Sequence, residues 1–165
     1  MVSVLKKELE FAFKNIRIVI SGDDRLTITA QKDAVLTIMS FLKKKGYGHL
    51  ALISCTDWIK ENEFELVYII TSYGEKINII LKTRIFRENP QFITVIPVFE
   101  NAEPYERELH ELFGINFEGH PRLTPLFLER EYNVPPFRKD FDTRKYVEEF
   151  FDKIPTVEEK SNEAT

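Results

Sequence analysis

Leu50-Ala51-Leu52-Ile53-Ser54-Cys55, Phe64-Glu65-Leu66-Val67-Tyr68-Ile69-Ile70-Thr71 and Ile77-Asn78-Ile79-Ile80-Leu81-Lys82-Thr83 follow one another with polar breaks, and Phe92 to Phe99 adds a further apolar stretch. Each stretch is short and β-branched, and Asn62, Gly74 and Pro90 punctuate the intervals, which predicts sequential antiparallel strands rather than helices. Within Ile77–Thr83, Ile77, Ile79 and Leu81 share one phase of the alternation, and Asn78 and Lys82 share the other with Ile80. One face of the sheet is therefore drier and needs a cover.

The segments before the sheet supply it. Leu5, Leu9, Ala12 and Phe13 recur at helical spacing after Ser3, a possible cap. Ile16 to Ser21 and Leu26 to Ala30 flank Gly22-Asp23-Asp24 and predict a hairpin. Val35, Ile38, Met39 and Leu42 then form a second helical face, closed by Lys43, Lys44 and Lys45 before Gly46, where positive charge suits the negative end of the helix dipole. The expected fold is α+β: a two-layer domain with a mostly antiparallel sheet covered by amphipathic helices, followed by a long extended C-terminal arm.

That arm begins after one more helix. Asn101 can cap it, and Pro104 falls in its first turn, where a missing N–H costs little. Tyr105, Leu109, Leu112 and Phe113 form its apolar stripe, Glu103, Arg107 and Glu111 repeat every four residues on another face, and Gly114 can end it. From about Ile115 to Phe141 the prolines at 121, 125, 135 and 136 and Gly119 describe an extended segment whose backbone must be satisfied by the parent domain or a partner chain. The organisation expected is an α+β domain over 1–114, a long extended arm over 115–151 and a disordered acidic tail over 152–165.

Composition narrows the function. With 165 residues, 43% hydrophobic, the chain has the make-up of one globular domain. A net charge of −4 argues against a surface built to neutralise phosphate, so nucleic acid is not an expected partner. The lone Cys55 cannot hold an iron–sulfur cluster or a zinc ribbon, and its apolar strand predicts a raised thiol pKa rather than a reactive thiolate. No run approaches the ~18 to 20 apolar residues of a membrane span, and the start lacks a signal-peptide core, which predicts a cytoplasmic protein or one on the cytoplasmic side of a membrane.

Self-contained chemistry is hard to find. His110-Glu111 opens like the zinc-protease HExxH motif, but Gly114 stands where the second histidine belongs. Glu106 and His110 lie one turn apart and could share a metal with His120, which leaves a stand-alone metal-dependent enzyme as the alternative reading. No glycine-rich loop is placed to cradle phosphate.

Tyr105-Glu106-Arg107-Glu108-Leu109-His110-Glu111-Leu112-Phe113-Gly114-Ile115-Asn116-Phe117-Glu118-Gly119-His120-Pro121 closely resembles the signature of the thirty-kilodalton subunit family, the C-type subunits, of respiratory complex I (NADH:quinone oxidoreductase). The matching elements are Glu-Arg-Glu, Phe-Gly followed by an aliphatic residue, and Phe-x-Gly-His-Pro. Asp57, Phe64-Glu65-Leu66-Val67-Tyr68 and Phe137-Arg138-Lys139-Asp140-Phe141 have counterparts in the same order. The resemblance implies a protein with no cofactor of its own, docked beside a hydrogenase-like large subunit (the D-type subunit), with iron–sulfur clusters in partner subunits. It also implies a place in a membrane-associated, redox-driven ion-pumping oxidoreductase, peripheral on the cytoplasmic side and reaching the membrane through partners alone.

The same resemblance makes Glu106, Arg107, Glu108, Phe113, Gly114, Phe117, Gly119, His120, Pro121, Phe137, Arg138, Lys139 and Asp140 candidate partner-docking residues. Three positions depart from the family pattern. Glu111 stands where Asp is usual, Pro104 where Trp is usual, and Leu123-Thr124-Pro125-Leu126 where an arginine pair normally follows His-Pro. The missing arginine doublet removes one set of carboxylate or phosphate contacts and leans towards a complex I relative such as an energy-converting hydrogenase, with electron donor and acceptor open.

Overall fold

A computed structural model describes residues 2–128 and 134–150. The chain runs α1 (Val2–Ala12), β1 (Arg17–Ile20), β2 (Arg25–Thr29), α2 (Val35–Lys44), β3 (His49–Trp58), β4 (Glu63–Thr71), β5 (Asn78–Phe86), β6 (Gln91–Ile93), α3 (Glu103–Phe113), β7 (Asn116–Glu118) and α4 (Thr143–Phe150). Five strands form one sheet in the order β1-β2-β5-β4-β3, and β6 and β7 form a small second one. The period-two pattern of the central strands is the burial pattern: Ile79 and Leu81 are buried while Asn78, Ile80 and Lys82 on the opposite face are half-buried.

The dry face is covered as expected. Val2, Leu5 and Leu9 of α1 and Val35, Ile38, Met39 and Leu42 of α2 join Leu26, Ile28, Leu66, Tyr68, Ile79 and Leu81 in one core. Each such aliphatic side chain contributes about 1.5–3 kcal/mol by leaving water. The other face carries cross-strand ion pairs, Lys82–Glu65 at 3.0 Å and Arg84–Glu63 at 2.7 Å.

Several local expectations are corrected. The strands are not all sequential neighbours: β2 pairs in parallel with β5, with Leu26 opposite Ile79, and the first hairpin is thereby joined to the sheet. Phe92 to Phe99 is not a fourth strand of that sheet. β6 stops at Ile93 and pairs in parallel with β7, because the Val95 N–H is taken by the Glu106 carboxylate at 2.7 Å and cannot serve a ladder. Ser3 sits inside α1 rather than at its cap, since Val2 is already helical and buried. Asn101 caps nothing; its side-chain amide donates to the Leu50 carbonyl at 2.8 Å.

The segment expected to be extended from Ile115 is partly regular. It contains β7, turns back onto the domain at 135–140 and continues into α4. The acidic tail expected over 152–165 lies outside the described residues.

Candidate functional site

α3 is set by its ends. Pro104 lies in the first turn, and Gly114 ends the helix in the left-handed conformation (φ 74°) with its N–H donating to the His110 carbonyl at 2.8 Å. Between these ends two faces of the helix do different jobs.

The inward face carries Glu106, which is fully buried. The Thr94 hydroxyl donates to one carboxylate oxygen at 2.6 Å and the Val95 N–H to the other at 2.7 Å. Burial pushes its pKa up to about 7, against the opposing pull of those two donors. A second face carries Arg107 and Glu111. The Arg107 guanidinium donates to the carbonyls of Thr124 (3.1 Å) and Pro125 (2.9 Å). The Glu111 carboxylate accepts the backbone N–H groups of Leu126 (3.1 Å), Phe127 (3.0 Å) and Leu128 (2.6 Å). One helix face thus holds five successive residues of the arm by their backbone. Beside it, His120 Nε2–H donates to the Glu103 carbonyl at 3.2 Å, and its Nδ1 accepts the Arg122 N–H at 3.0 Å.

The arm returns at 135–141 to a second anchor. Asp57, buried at the end of β3, receives Arg87 Nε at 2.8 Å and the Lys139 N–H at 2.8 Å. Arg87 also pairs with Asp140, whose carboxyl it holds below the usual carboxylate range. The guanidinium groups of Arg87 and Arg138 both lie over the Phe64 ring, at 5.6 and 5.2 Å. Arg138 Nε donates to the Phe113 carbonyl at 2.7 Å, the Phe137 N–H donates to the Leu112 carbonyl at 3.0 Å, and the Phe113 and Phe137 rings meet edge to face at 5.9 Å. A Cβ on Gly114 would stand 2.9 Å from Pro135 Cγ and 3.1 Å from Arg138, so the left-handed glycine also makes room for the arm.

The candidate residues therefore divide. Glu106, Arg107, His120, Arg138 and Asp140 are engaged within the chain, and so is the backbone of Lys139. Phe113 and Phe117 are core residues, with Phe117 packed edge to face on Phe92. Gly119 adopts φ 82° close to the Thr94 methyl, and Pro121 is exposed. Glu108 is half-buried, and no hydrogen bond or ion pair ties it down among the described residues. Phe127 is 66% and Phe137 60% exposed.

The sequence reading missed Arg87, Thr94 and the grip of Glu111. Asp57 carried a usable signal, since an acid at an inward strand position demands a buried cation. The metal reading is corrected: Glu106 turns inward, His110 meets the Ile115 carbonyl at 2.8 Å, and among the described residues no group of three His, Cys, Asp or Glu side chains is placed to hold a metal. Cys55 is half-buried, and burial pushes its thiol up to about 12.

Comparison with known proteins places this geometry. The family described as respiratory-chain NADH dehydrogenase, 30 kDa subunit, matches residues 28–147. The chain is 37% identical over 120 residues to the C subunit of F(420)H(2) dehydrogenase from Methanosarcina mazei, an alignment covering 72% of this chain and 76% of that one. It is 30% identical over 129 residues to the C/D subunit of NADH-quinone oxidoreductase from Blochmanniella pennsylvanica, covering 72% of this chain but 22% of that protein, so it spans about a fifth of this relative's length. A chain of the membrane-bound sulfane sulfur reductase, an archaeal respiratory membrane complex, superimposes with a TM-score of 0.84 at 27% identity over 99% of this chain and 98% of its own.

Proposed function

The chain belongs to the family of the 30 kDa subunit of respiratory-chain NADH dehydrogenase, and on that premise we propose that it is a non-catalytic, architectural subunit of a complex I-like oxidoreductase complex. It docks beside a hydrogenase-like large subunit in the peripheral arm of a membrane-associated, redox-driven ion pump. Iron–sulfur clusters belong to its partners, and it carries no cofactor. A relative whose name joins a C and a D subunit in one protein supports the large-subunit partner. On this reading it sits peripherally on the cytoplasmic side and reaches the membrane through other subunits; among the described residues no helix is long and apolar enough to cross a membrane.

The observation that carries this reading is the held arm. Arg107 and Glu111 use their charges on the backbone of residues 124–128, and the result is an ordered loop that presents Phe127 to solvent. Ordering a phenylalanine that stays 66% exposed costs conformational entropy and gains only partial burial within the chain; a partner surface that covers it supplies the rest. Glu108, on the same helix and with no ion pair among the described residues, adds a charge for that surface to meet.

The test is mass spectrometry of the chains that co-purify with tagged protein from mildly solubilised membranes, for the natural sequence and for Phe127→Ser with Glu108→Lys. The natural chain is expected to bring a hydrogenase-like large subunit and cluster-bearing subunits, and the double variant to lose them while its arm keeps its native resistance to trypsin. A variant that recovers the same subunits in the same yield overturns the docking surface.

A further inference from the structure

The two edges of the five-stranded sheet are treated differently. β3, ten residues long, is guarded: Asn101 Nδ2 and Tyr105 Oη donate to the carbonyls of Leu50 (2.8 Å) and Ala51 (3.0 Å), a bulge interrupts its register between Leu50 and Leu52, and the arm closes its far end at Asp57. β1 has no such cover among the described residues. The Ser21 N–H donates to the Arg25 carbonyl, so by the alternation of an antiparallel ladder Arg17 and Val19 point their N–H and C=O groups at β2, while those of Ile18 and Ile20 point outwards. Among the described residues no hydrogen bond reaches that outer side. Arg17–Ile20 is short and carries a charge at Arg17, but it contains no proline, lysine or bulge, and its Val19 and Ile20 are 43% and 40% exposed.

We propose that β1 is a strand-addition site, and that its occupant is an extended segment of a partner subunit. A second copy of this chain is the poorer occupant, because a four-residue strand against its twin buries far less than the roughly 1,000 Å² a stable interface needs. A chain already docked through the arm needs no such area, since the second contact forms at the high effective concentration that tethering supplies. The inference therefore rests on the reading of this chain as one component of a complex.

The surroundings state the chemistry of the segment. Apolar side chains fit beside Ile18, Val19 and Ile20, and an acidic or carboxamide side chain fits beside Arg17. At the Arg17 end the edge opens into a groove of about 940 Å³, lined also by Asn15, Gln31, Asn62, Asn89 and the exposed Phe86. The Asn15 and Gln31 carboxamides donate and accept, which suits the alternating N–H and C=O groups of a peptide that runs off the strand into the groove. Asn62 and Asn89 are hydrogen-bonded to Glu88 and Gln91, and the charged Lys32 and Asp33 also line the groove.

Hydrogen exchange of the natural chain, alone and within the complex it co-purifies with, tests the site. Exchange at the Ile18 and Ile20 amides is expected to slow at least about tenfold on assembly. Ile20→Pro removes one outward N–H without touching the β2 ladder, as edge strands tolerate, and is expected to leave the isolated chain folded and to abolish the slowing at Ile18. Assembly with unchanged exchange at both amides overturns the strand-addition site and leaves the architectural reading standing. A chain that joins no complex overturns both. Slowed exchange in a concentrated solution of the isolated chain, with dimers by sedimentation, overturns the partner as occupant.

Discussion

Arg107 and Glu111, four residues apart on α3, hold opposite groups of one backbone: the guanidinium takes the carbonyls of Thr124 and Pro125, and the carboxylate takes the N–H groups of Leu126, Phe127 and Leu128. Hydrogen bonds to charged groups contribute about 1.5–3 kcal/mol each when isolated, and less in sum where water can replace them. Glu111→Gln keeps the shape and loses the charge. It is expected to open residues 122–128 to trypsin at least about tenfold faster, the effect of ~1.4 kcal/mol, while the thermal midpoint of the sheet domain stays unchanged. Equal cleavage rates would show that the arm is held by something else.

The second anchor depends on Arg87. Asp57 is nearly fully buried and takes two donors from that guanidinium, so Arg87→Ala strands a buried carboxylate and is expected to cost about 3–5 kcal/mol in urea unfolding. Asp140 is half exposed, and Asp140→Asn is expected to cost less than about 1 kcal/mol. Its folded pKa is depressed below the ordinary 3.8 by Arg87, so its contribution is whole above pH 3.8 and disappears as pH falls through the folded value. Chymotryptic cleavage near Phe137 at pH 7 should rise strongly in the Arg87 variant and slightly in the Asp140 variant.

What the sequence disclosed, and what it hid, follows from the kind of contact. The central strands were legible because burial alternates with period two at Ile77, Ile79 and Leu81. The end of α3 was legible because a left-handed cap selects Gly114. The parallel pairing of β2 with β5 was not, since Leu26 and Ile79 suit either neighbour arrangement and the choice is made by the whole sheet. The stretch Phe92–Phe99 was apolar enough to read as one long strand of the main sheet, but a carboxylate eleven residues later takes the Val95 amide and the strand stops at Ile93. The grip of the arm was invisible for a different reason: Arg107 and Glu111 bind peptide groups, which every sequence offers, so residues 124–128 carry no mark of it. Several of the residues named from the family motif, among them Arg107, His120, Arg138 and Asp140, also make contacts that fasten the arm within the chain.

Gly114 combines two constraints. Its φ of 74° disfavours any residue with a Cβ, and that Cβ would meet the Pro135 ring and Arg138. Gly114→Ala is expected to cost about 1–2 kcal/mol for the left-handed conformation alone, and to loosen the return of the arm as well. Gly119→Ala, at φ 82° with the Thr94 methyl 3.3 Å away, shares the backbone cost without displacing the arm. Unfolding by urea measures the first effect and protease access to residues 134–141 the second. Similar access in both variants would remove the role given to the space above Gly114.

Glu106 gives the fold a pH dependence of its own. Its pKa rises from the ordinary 4.5 in the unfolded chain to about 7 in the folded one, so between those values the folded state holds the proton that the unfolded state has released. Stability from this site is therefore highest below pH 4.5, falls as pH rises, and is fully lost above 7; the difference amounts to at most about 3 kcal/mol. Glu106→Gln presents a carbonyl to the Val95 N–H and an amide to the Thr94 hydroxyl, and it never charges. Urea unfolding at pH 5, 6, 7 and 8 is expected to give a natural chain whose stability declines relative to the variant across that range. Parallel profiles would mean that water or a cation reaches the carboxylate, and that burial does not control its proton.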